Sequence, residues 1–265
     1  APRTNAPRRF TYKTTTNAEE FYSDTADDSD IRAIGADFKR VEYTAGEVEA
    51  RTHNKGLTIR VDLDNVTPGW EQRSVAKLLR RLKRNELRRA IALLSAAATN
   101  TAKTWDTTAG KDPDQDVITD LIAAGDASGI TPNRVGYGLT AWNRRGLSHR
   151  AQETAGGFAS ATMTLQALAG ILGVESVYVS RERYQSGAAA KTQVLANLVL
   201  MFNAMSGADL EDASNIKRFV SPVEGGGDIR VYQQQVTSKL VDLTVEHNSL
   251  IAITSTLGIR KFTVS

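Results

Sequence analysis

A long amphipathic helix is the feature that most constrains how this chain of 265 residues can fold. It follows Pro68, and from Trp70 to about Asn100 apolar residues recur at the spacing of one helical face. That face comprises Val75, Leu78, Leu79, Leu82, Ala90 and Leu93. With 41% hydrophobic residues, the chain can bury a sizeable core around such a helix, as one large domain or as two smaller ones sharing an interface.

The opposite side of the same helix is strongly basic. Between residues 72 and 90, eight basic residues accompany a single acid, Glu86, which gives the segment a net charge of +7. The outward basic stripe consists of Arg73, Lys77, Arg80, Arg84 and Arg88. Charge this dense repels itself unless an anion lies nearby. A solvated face is one interpretation, and contact with a phosphate backbone or with an acidic protein segment is the other.

Charge is also unevenly distributed near the amino terminus, although the net charge of the chain is only +3. Residues 1–13 contain four basic residues and no acid, whereas residues 19–30 contain six acids and no base. Because residues 1–30 are polar and poor in aliphatic side chains, they predict an arm that a neighbouring copy holds in place. The acidic block of that copy is a candidate partner for the basic helix. The arm residues expected at such contacts are Arg8, Arg9, Asp27 and Asp28.

Alternating polar and apolar residues predict strands between residues 38 and 64. Asn54-Lys55-Gly56 supplies turn residues between two alternating runs, which predicts a long hairpin with its tip near Lys55. Charged outward positions favour a hairpin that projects from the body of the protein, and an ordinary surface hairpin is the alternative. A tip at Lys55 is a further candidate contact between copies.

The rest of the chain combines helices and strands. Asp112, Pro113 and Gln115 are typical of a helix start, and Gly125 of its end. Two further helices are predicted at Leu139 to Arg145 and at Thr164 to Leu172, the second ended by Gly173. Strands are predicted at Arg134 to Tyr137, Glu175 to Val179, Val194 to Phe202 (apolar enough for a buried central strand), Ile216 to Val220, Ile229 to Val236, Leu240 to Glu246, Leu250 to Ser255 and Ile259 to Val264.

No group of residues indicates catalysis. The chain has no cysteine, which excludes disulfides, thiolate metal ligands and cysteine nucleophiles. Residues 187–192 end in Lys-Thr like a phosphate-binding loop, but Gln185 and Ala190 stand where that loop requires glycine. The histidines, without the spacing of a local metal motif, are His53, His149 and His247. We therefore predict no enzyme, cofactor or metal site, and interpret residues 130–180 as packed scaffold.

The composition of the chain argues against base-specific recognition of nucleic acid and against a membrane span. Aromatic residues are 6% of the chain and do not interleave with the basic helix, so base-specific recognition is not indicated, whereas diffuse phosphate contact needs only charge. The amino terminus has no signal-peptide core, and no apolar run reaches the roughly 18 residues of a membrane span. We expect no membrane contact.

The order of these parts resembles the major capsid protein of tailed bacteriophages, which has the Hong Kong 97 fold. The passages that carry the resemblance are NKGLTIRVDLDNVTPGW before the helix RLKRNELRRAIALLSAAATNT, then PNRVGYGLTAWNRR, LAGILGVESVYVSRERY, VDLTVEHNSLIAI and GIRKFTVS. The resemblance implies an α+β fold with an N-terminal arm, an extended β-hairpin loop, a peripheral domain with a long spine helix, and an axial domain. The arm would comprise residues 1–30 and the extended loop residues 31–67. The peripheral domain would comprise residues 68–111 with 208–249, and the axial domain residues 112–207 with 250–265.

The resemblance implies a subunit that assembles into hexamers and pentamers and closes into an icosahedral shell around packaged double-stranded DNA. Partners would be other copies of the chain, DNA held by non-specific contact, portal and scaffolding proteins, and in some relatives a decoration protein. The expected location is the virion, after assembly in the host cytoplasm. The alternatives are an encapsulin-like compartment, which encloses protein rather than DNA, and a basic nucleic-acid-binding oligomer.

Two family features bear on particular residues. Members often carry an amino-terminal scaffolding segment that a protease removes, and Ala1 is compatible with that cut or with loss of an initiating methionine. Some relatives cross-link a lysine of the extended loop to an asparagine of a neighbour. Lys55 would be that lysine here, although no partner motif is visible.

Overall fold

The computed structural model of this protein describes residues 1–15, 31–32, 34–38, 46–205 and 213–265. The strands in these residues are β1 (Arg3–Asn5), β2 (Arg9–Thr14), β3 (Gly46–Arg51), β4 (His53–Asp62), β5 (Thr99–Lys103), β6 (Arg134–Gly138), β7 (Ser176–Ser180), β8 (Arg183–Gln185), β9 (Lys191–Gln193), β10 (Leu198–Phe202), β11 (Ile216–Ser221), β12 (Arg230–Gln235), β13 (Leu240–Ile253) and β14 (Arg260–Val264). The helices are α1 (Trp70–Ala97), α2 (Pro113–Ser128), α3 (Leu139–Arg150), α4 (Ala155–Ala161) and α5 (Leu165–Leu172).

The described strands form two five-stranded sheets and two short ribbons. The first sheet has the order β1-β11-β13-β12, and β4 pairs with the opposite edge of the long strand β13. The second sheet has the order β5-β14-β10-β6-β7. Its central strand β10 is the apolar run that the sequence predicted as a buried central strand, and Val199, Leu200 and Met201 are buried there. The ribbons pair β2 with β3 and β8 with β9.

Helix α1 lies across both sheets. In its first half, Leu78 and Leu82 pack against Val245 of β13 and the apolar side of β4. Near its end, Leu94 packs with Leu200 of the second sheet and with Ile216 of the first. Each such leucine stabilises the contact by roughly 1.5–3 kcal/mol. The predicted long helix is confirmed, and its apolar face joins the two sheets.

A second core lies between the second sheet and helices α2, α3 and α5. Trp105, Val135, Tyr137, Met201 and Phe262 are all buried in it. The Trp105 ring meets the Phe262 ring edge-on with 6.2 Å between their centroids, a favourable geometry for two aromatic rings. Eight of its buried residues, from Val135 to Val177, come from the segment 130–180 that the sequence marks as packed scaffold.

Capping residues mark the ends of α2 and α5. The Asp112 side chain accepts hydrogen bonds from the N–H groups of residues 114 and 115, as predicted for the start of α2. Thr164 and Gly173 cap α5 as expected. The predicted end of α2 at Gly125 is wrong, because the helix continues to Ser128 and Gly129 takes the left-handed conformation, with φ of 73°.

The predicted hairpin with its tip near Lys55 is wrong. Asn54-Lys55-Gly56 lies inside β4, and Lys55 is paired with His247 of β13. The strands β3 and β4 are separated at Thr52, whose hydroxyl is buried 2.7 Å from the Ser221 hydroxyl. β3 pairs with β2 instead. The turn-forming residues are tolerated within β4 because the long strand β13 offers their backbone a continuous hydrogen-bonding partner.

Strand pairing corrects one further expectation and places the start of the arm. The predicted strands Leu240 to Glu246 and Leu250 to Ser255 are one strand, β13, because the intervening residues 247–249 are buried and keep the ladder intact. The described part of the arm pairs with its own chain, and the predicted contact with a neighbouring copy stays a prediction. β1 pairs in parallel with β11, and Thr4 and Ala6 are buried. Residues 16–30 lie outside the described residues.

Gly138 is required by a close approach of backbone at the end of β6. The Ala196 carbonyl accepts the N–H groups of Thr140 and Ala141 at 3.1 and 3.2 Å and so caps α3. A Cβ on Gly138 would lie 2.0 Å from that oxygen. We predict that Gly138→Ala lowers the free energy of unfolding by about 2 kcal/mol, measured by denaturant unfolding.

Gly136 is the matched control, two residues earlier in the same strand. A Cβ there would lie 3.9 Å from the Leu200 carbonyl oxygen, an ordinary contact. Gly136→Ala should therefore leave the free energy of unfolding nearly unchanged. Equal losses in the two variants would contradict the close-approach explanation.

Candidate functional site

The basic stripe of α1 is exposed along its whole length. Two of its members contact the segment that follows β7. Arg84 forms an ion pair with Glu182, and the Arg88 guanidinium lies 3.7 Å from the ring centroid of Tyr184. Both contacts are at the surface, where an ion pair contributes little stability. The stripe therefore remains available to a further anionic partner.

The other stripe residues have different surroundings. Arg73 turns back and donates to the carbonyl of Pro68 at 2.8 Å, at the start of its own helix. Within the described residues, neither Lys77 nor Arg80 has an ion pair or hydrogen bond. The helix thus presents partnerless cations on the side opposite its buried leucines.

The predicted arm and loop residues are not brought to the basic stripe in the described structure. Arg8 and Arg9 are exposed at the start of the β2–β3 ribbon. Asp27 and Asp28 lie outside the described residues. Lys55 is half-buried, and its ammonium donates to the Ser249 hydroxyl at 3.1 Å.

Lys55 belongs to a buried polar cluster that joins α1 to the first sheet. The acid of the cluster is Glu86, whose carboxylate accepts from the Ser249 hydroxyl at 2.6 Å and from Arg218 Nε at 3.0 Å. His247 lies beside it, with Nε2 3.4 Å from the nearer carboxylate oxygen. The carboxylate of Glu86 on α1 therefore contacts side chains of β11 and β13. Strand β4 joins the same cluster through the hydrogen bond from Lys55 to Ser249.

Burial and charge set the protonation of this cluster. Burial alone would raise the pKa of Glu86, but the hydrogen bond from Ser249 and the charge of Arg218 outweigh it, and the pKa lies below the usual value. Burial lowers the pKa of His247; Glu86 opposes that shift, while the charges of Arg218 and Lys55 add to it. Burial likewise lowers the pKa of Lys55. The cluster thus pairs an ionised carboxylate with cations around a neutral histidine.

The sequence analysis did not identify this cluster. One signal in the sequence points to it: Glu86 follows Leu78 and Leu82 at a spacing of four, which places the acid on the buried side of α1. A lone acid in that position requires a buried cation. Nothing in the sequence names Arg218, 132 residues away, as the partner.

A second buried ion group fixes α2 to α3. The Arg145 guanidinium is wholly buried and donates two hydrogen bonds of 2.6 Å to the Asp114 carboxylate, and His149 Nε2 lies 3.1 Å from the same group. Burial alone would raise the pKa of Asp114, but the hydrogen bonds from His149 and Arg145 reverse that effect and lower it. A carboxylate saturated in this way is structural, since it has no free oxygen directed at a reactant.

The residues considered for metal and phosphate binding form no such site in the part of the chain that the structure describes. Among the described residues no group of three or more histidine, aspartate or glutamate side chains is arranged to hold a metal ion. Residues 187–192 fall on the exposed connection between β8 and β9 and the start of β9, so a strand follows them directly where a phosphate-binding loop requires a helix. No helix in the described ranges is long and apolar enough to cross a membrane.

Comparison with known proteins identifies the fold. No family model and no curated protein sequence matches the chain. Among solved structures, it is similar to a phage-related protein from Bordetella bronchiseptica RB50, with 19% identity, a TM-score of 0.70 and coverage of 98% of this chain and 88% of the other. It is also similar to the capsid of the cyanophage P-SCSP1u, with 10% identity, a TM-score of 0.59 and coverage of 100% and 86%.

The same fold occurs in an encapsulin. The chain is similar to the encapsulin of a complex from Synechococcus elongatus PCC 7942, with 12% identity, a TM-score of 0.53 and coverage of 99% and 84%. Each likeness extends over nearly the whole chain, and the chain has the α+β fold that the sequence resemblance implied.

The buried cluster around Glu86 predicts a pH dependence of stability. Because the pKa of His247 is lowered by folding, the unfolded chain binds a proton below about pH 6.5 that the folded chain does not. The free energy of unfolding should therefore fall as the pH is lowered from 6.5, by at most about 1.4 kcal/mol per pH unit from this residue. Denaturant unfolding between pH 7 and pH 5 measures the slope.

The variant His247→Gln should flatten that slope, because glutamine does not titrate. His53→Gln is the matched control, since His53 is exposed on the neighbouring strand β4, and it should keep the slope of the unmodified chain. The same slope in His247→Gln and in the unmodified chain would contradict the assignment.

Proposed function

We propose that this chain, which has the Hong Kong 97-like capsid fold, is the major capsid protein of a tailed bacteriophage. The observation that carries the proposal is the extent of the likeness: between 98% and 100% of the chain superposes on a phage-related protein and on a phage capsid. Its role is structural, and it is not an enzyme.

Such a subunit functions by binding other copies of itself. We assign residues 1–30 to the arm, 31–67 to the extended loop, 68–111 with 208–249 to the peripheral domain, and 112–207 with 250–265 to the axial domain. Copies would form hexamers and pentamers through head-to-tail contacts, which close into rings when the rotation between copies permits. Those rings would close into an icosahedral shell.

The proposed content of the shell is double-stranded DNA held without sequence specificity. Support comes from the partnerless cations of α1, because phosphate contact requires charge alone. Each subunit needs only a weak contact, since many copies act on one DNA molecule. The further partners that this role requires are a portal, scaffolding proteins and, in some shells, a decoration protein. The location would be the virion, after assembly in the host cytoplasm.

An encapsulin-like compartment is the second candidate, and the likeness to the Synechococcus encapsulin favours it specifically. Its shell would enclose cargo protein. A basic nucleic-acid-binding oligomer is the third candidate, which rests on the +7 segment of α1 alone. It would bind duplex DNA as free subunits, with affinity that falls steeply with salt.

Electron microscopy of the purified chain tests the proposal directly. We predict closed particles of uniform size under conditions that favour association, such as high protein concentration. Particles isolated from cells that produce the chain naturally should protect double-stranded DNA from added nuclease.

The remaining outcomes identify the alternatives. Particles that enclose protein instead of DNA would support the encapsulin-like compartment and contradict the phage shell. A chain that stays a small oligomer in every condition and binds duplex DNA with a steep salt dependence would support the third candidate and overturn the shell.

A further inference from the structure

Part of the basic stripe of α1 is covered by a separate piece of the same chain, the ribbon formed by β8 and β9. The ribbon follows β7 and returns to the body of the protein before β10. Among the described strands, β8 and β9 pair only with each other. The ribbon therefore belongs to neither five-stranded sheet, and its position on α1 depends on side-chain contacts.

Two side chains at the base of the ribbon contact the stripe. Glu182 accepts a hydrogen bond from Nε of Arg84, and the Arg88 guanidinium lies 3.7 Å from the centroid of the Tyr184 ring. The spacing of the two elements matches. Residues i and i+2 of an extended chain are about 6.6 Å apart, and residues i and i+4 of a helix are about 6.0 Å apart along its axis. One side of the ribbon therefore covers two successive cations of the stripe.

Glu182 lies in a cleft whose other charged residues are all basic. The cleft has a volume of about 440 Å³, and its basic residues are Arg80, Lys83 and Arg84. Neither Arg80 nor Lys83 has an ion pair or hydrogen bond with a residue that the structure describes. Carboxylates and phosphates both accept charge-assisted hydrogen bonds from arginine. Glu182 thus occupies the place on Arg84 that a phosphate oxygen would take.

The contacts that hold the ribbon on α1 are weak. The side chains of Arg84 and Glu182 are 47% and 41% exposed, and an ion pair this exposed contributes little. The segment 181–193 contains three basic residues and one acid, so its net charge has the same sign as that of the stripe. Its basic residues are Arg181, Arg183 and Lys191. Because like charges repel, a denser source of negative charge can displace the ribbon.

We propose that the β8–β9 ribbon is an internal competitor of DNA, which covers Arg84 and Arg88 in the free subunit and leaves α1 when duplex phosphates bind them. The inference rests on the proposed contact between the stripe and packaged DNA, and it names the regulation of that contact. A free subunit then binds nucleic acid weakly, because part of its stripe is already paired. A dense array of phosphates shifts the equilibrium to the uncovered state, since that state binds phosphate better.

Removal of the two ribbon contacts tests the competition. The variant Glu182→Gln with Tyr184→Leu should bind a short DNA duplex about tenfold more tightly than the unmodified chain, because binding no longer requires displacement of the ribbon. The logarithm of its association constant should also fall more steeply with the logarithm of salt concentration, by about 1.8, because two more phosphates are contacted at about 0.9 each. Titration at several salt concentrations, with subunits kept unassembled at low protein concentration, measures both quantities.

The matched control removes the same residue types from an arginine outside the stripe. Arg134 donates to Glu175 at 3.2 Å and to the Tyr178 hydroxyl at 3.3 Å. The variant Glu175→Gln with Tyr178→Leu makes the same change of net charge, and its duplex affinity and salt dependence should stay close to those of the unmodified chain. None of the substituted side chains in the two variants is buried, so both should unfold thermally like the unmodified chain.

Spin labels test the movement itself, because the chain contains no cysteine and introduced cysteines are labelled selectively. Ala189→Cys places one label at the exposed tip of the ribbon, and Ile122→Cys places the other on α2, where Ile122 is 57% exposed. Saturating duplex should shift or broaden the distribution of distances between the labels. The same labels combined with Glu182→Gln and Tyr184→Leu should give the altered distribution without DNA. An unchanged distribution in both experiments would contradict a movable ribbon.

The remaining outcomes separate this inference from the proposed function. Equal affinity and salt dependence in the ribbon variant, the control and the unmodified chain would overturn the competition and leave the shell and its DNA contact standing. Weaker duplex binding by the ribbon variant would make the ribbon part of the DNA-binding surface, and would also overturn it. Tighter binding to polyglutamate but not to duplex would assign the uncovered cations to an acidic protein and overturn the inference.

Failure of the proposed function has a different signature. If neither the ribbon variant nor the unmodified chain binds duplex at low salt, the phosphate contact is overturned together with the competition, whereas closed particles in electron microscopy would still support the shell. Competition in a chain that never forms closed particles would support the inference and contradict the shell.

Discussion

The contact between α1 and β13 is the interaction on which the rest of the structure depends. Leu78 and Leu82 supply apolar burial there, and Glu86 adds a carboxylate whose buried oxygens are bonded by Ser249 and Arg218. Removing one partner of a buried charge costs far more than the pair contributes, so this group tolerates only one placement of the helix. Because the end of α1 also packs on the second sheet, that placement fixes the two sheets relative to each other.

The buried carboxylates are bonded within the chain, whereas several exposed cations and apolar side chains are not. Glu86 and Asp114 are each saturated by partners within the chain, which makes them structural. On the outside, Lys77 and Arg80 of α1 have no ion pair or hydrogen bond with any residue that the structure describes, and Ile34 and Phe38 are exposed. Exposed apolar and basic side chains of this kind are typical of surfaces that bind a partner.

Local signals in the sequence predicted the elements well and their pairing poorly. The apolar periodicity of α1, the cap at Asp112 and the apolar run of β10 each act over a few residues, and all three are confirmed. The strand ends predicted near Lys55 and at residues 247–249 are wrong, because turn-forming residues usually end strands. Here they remain in strands because they face each other across the ladder and take part in the polar cluster around Glu86.

The sequence by itself determined four of the five described helices, most of the strands, the basic stripe and the absence of cysteine chemistry, since these follow from composition and from spacing along the chain. The tertiary structure alone decided that β1 pairs with β11, that β4 lies along β13, and that Arg218 reaches Glu86. The physical reason is that the backbone of a strand offers the same hydrogen bonds to any partner. Which partner it takes is set by burial of side chains from distant parts of the chain.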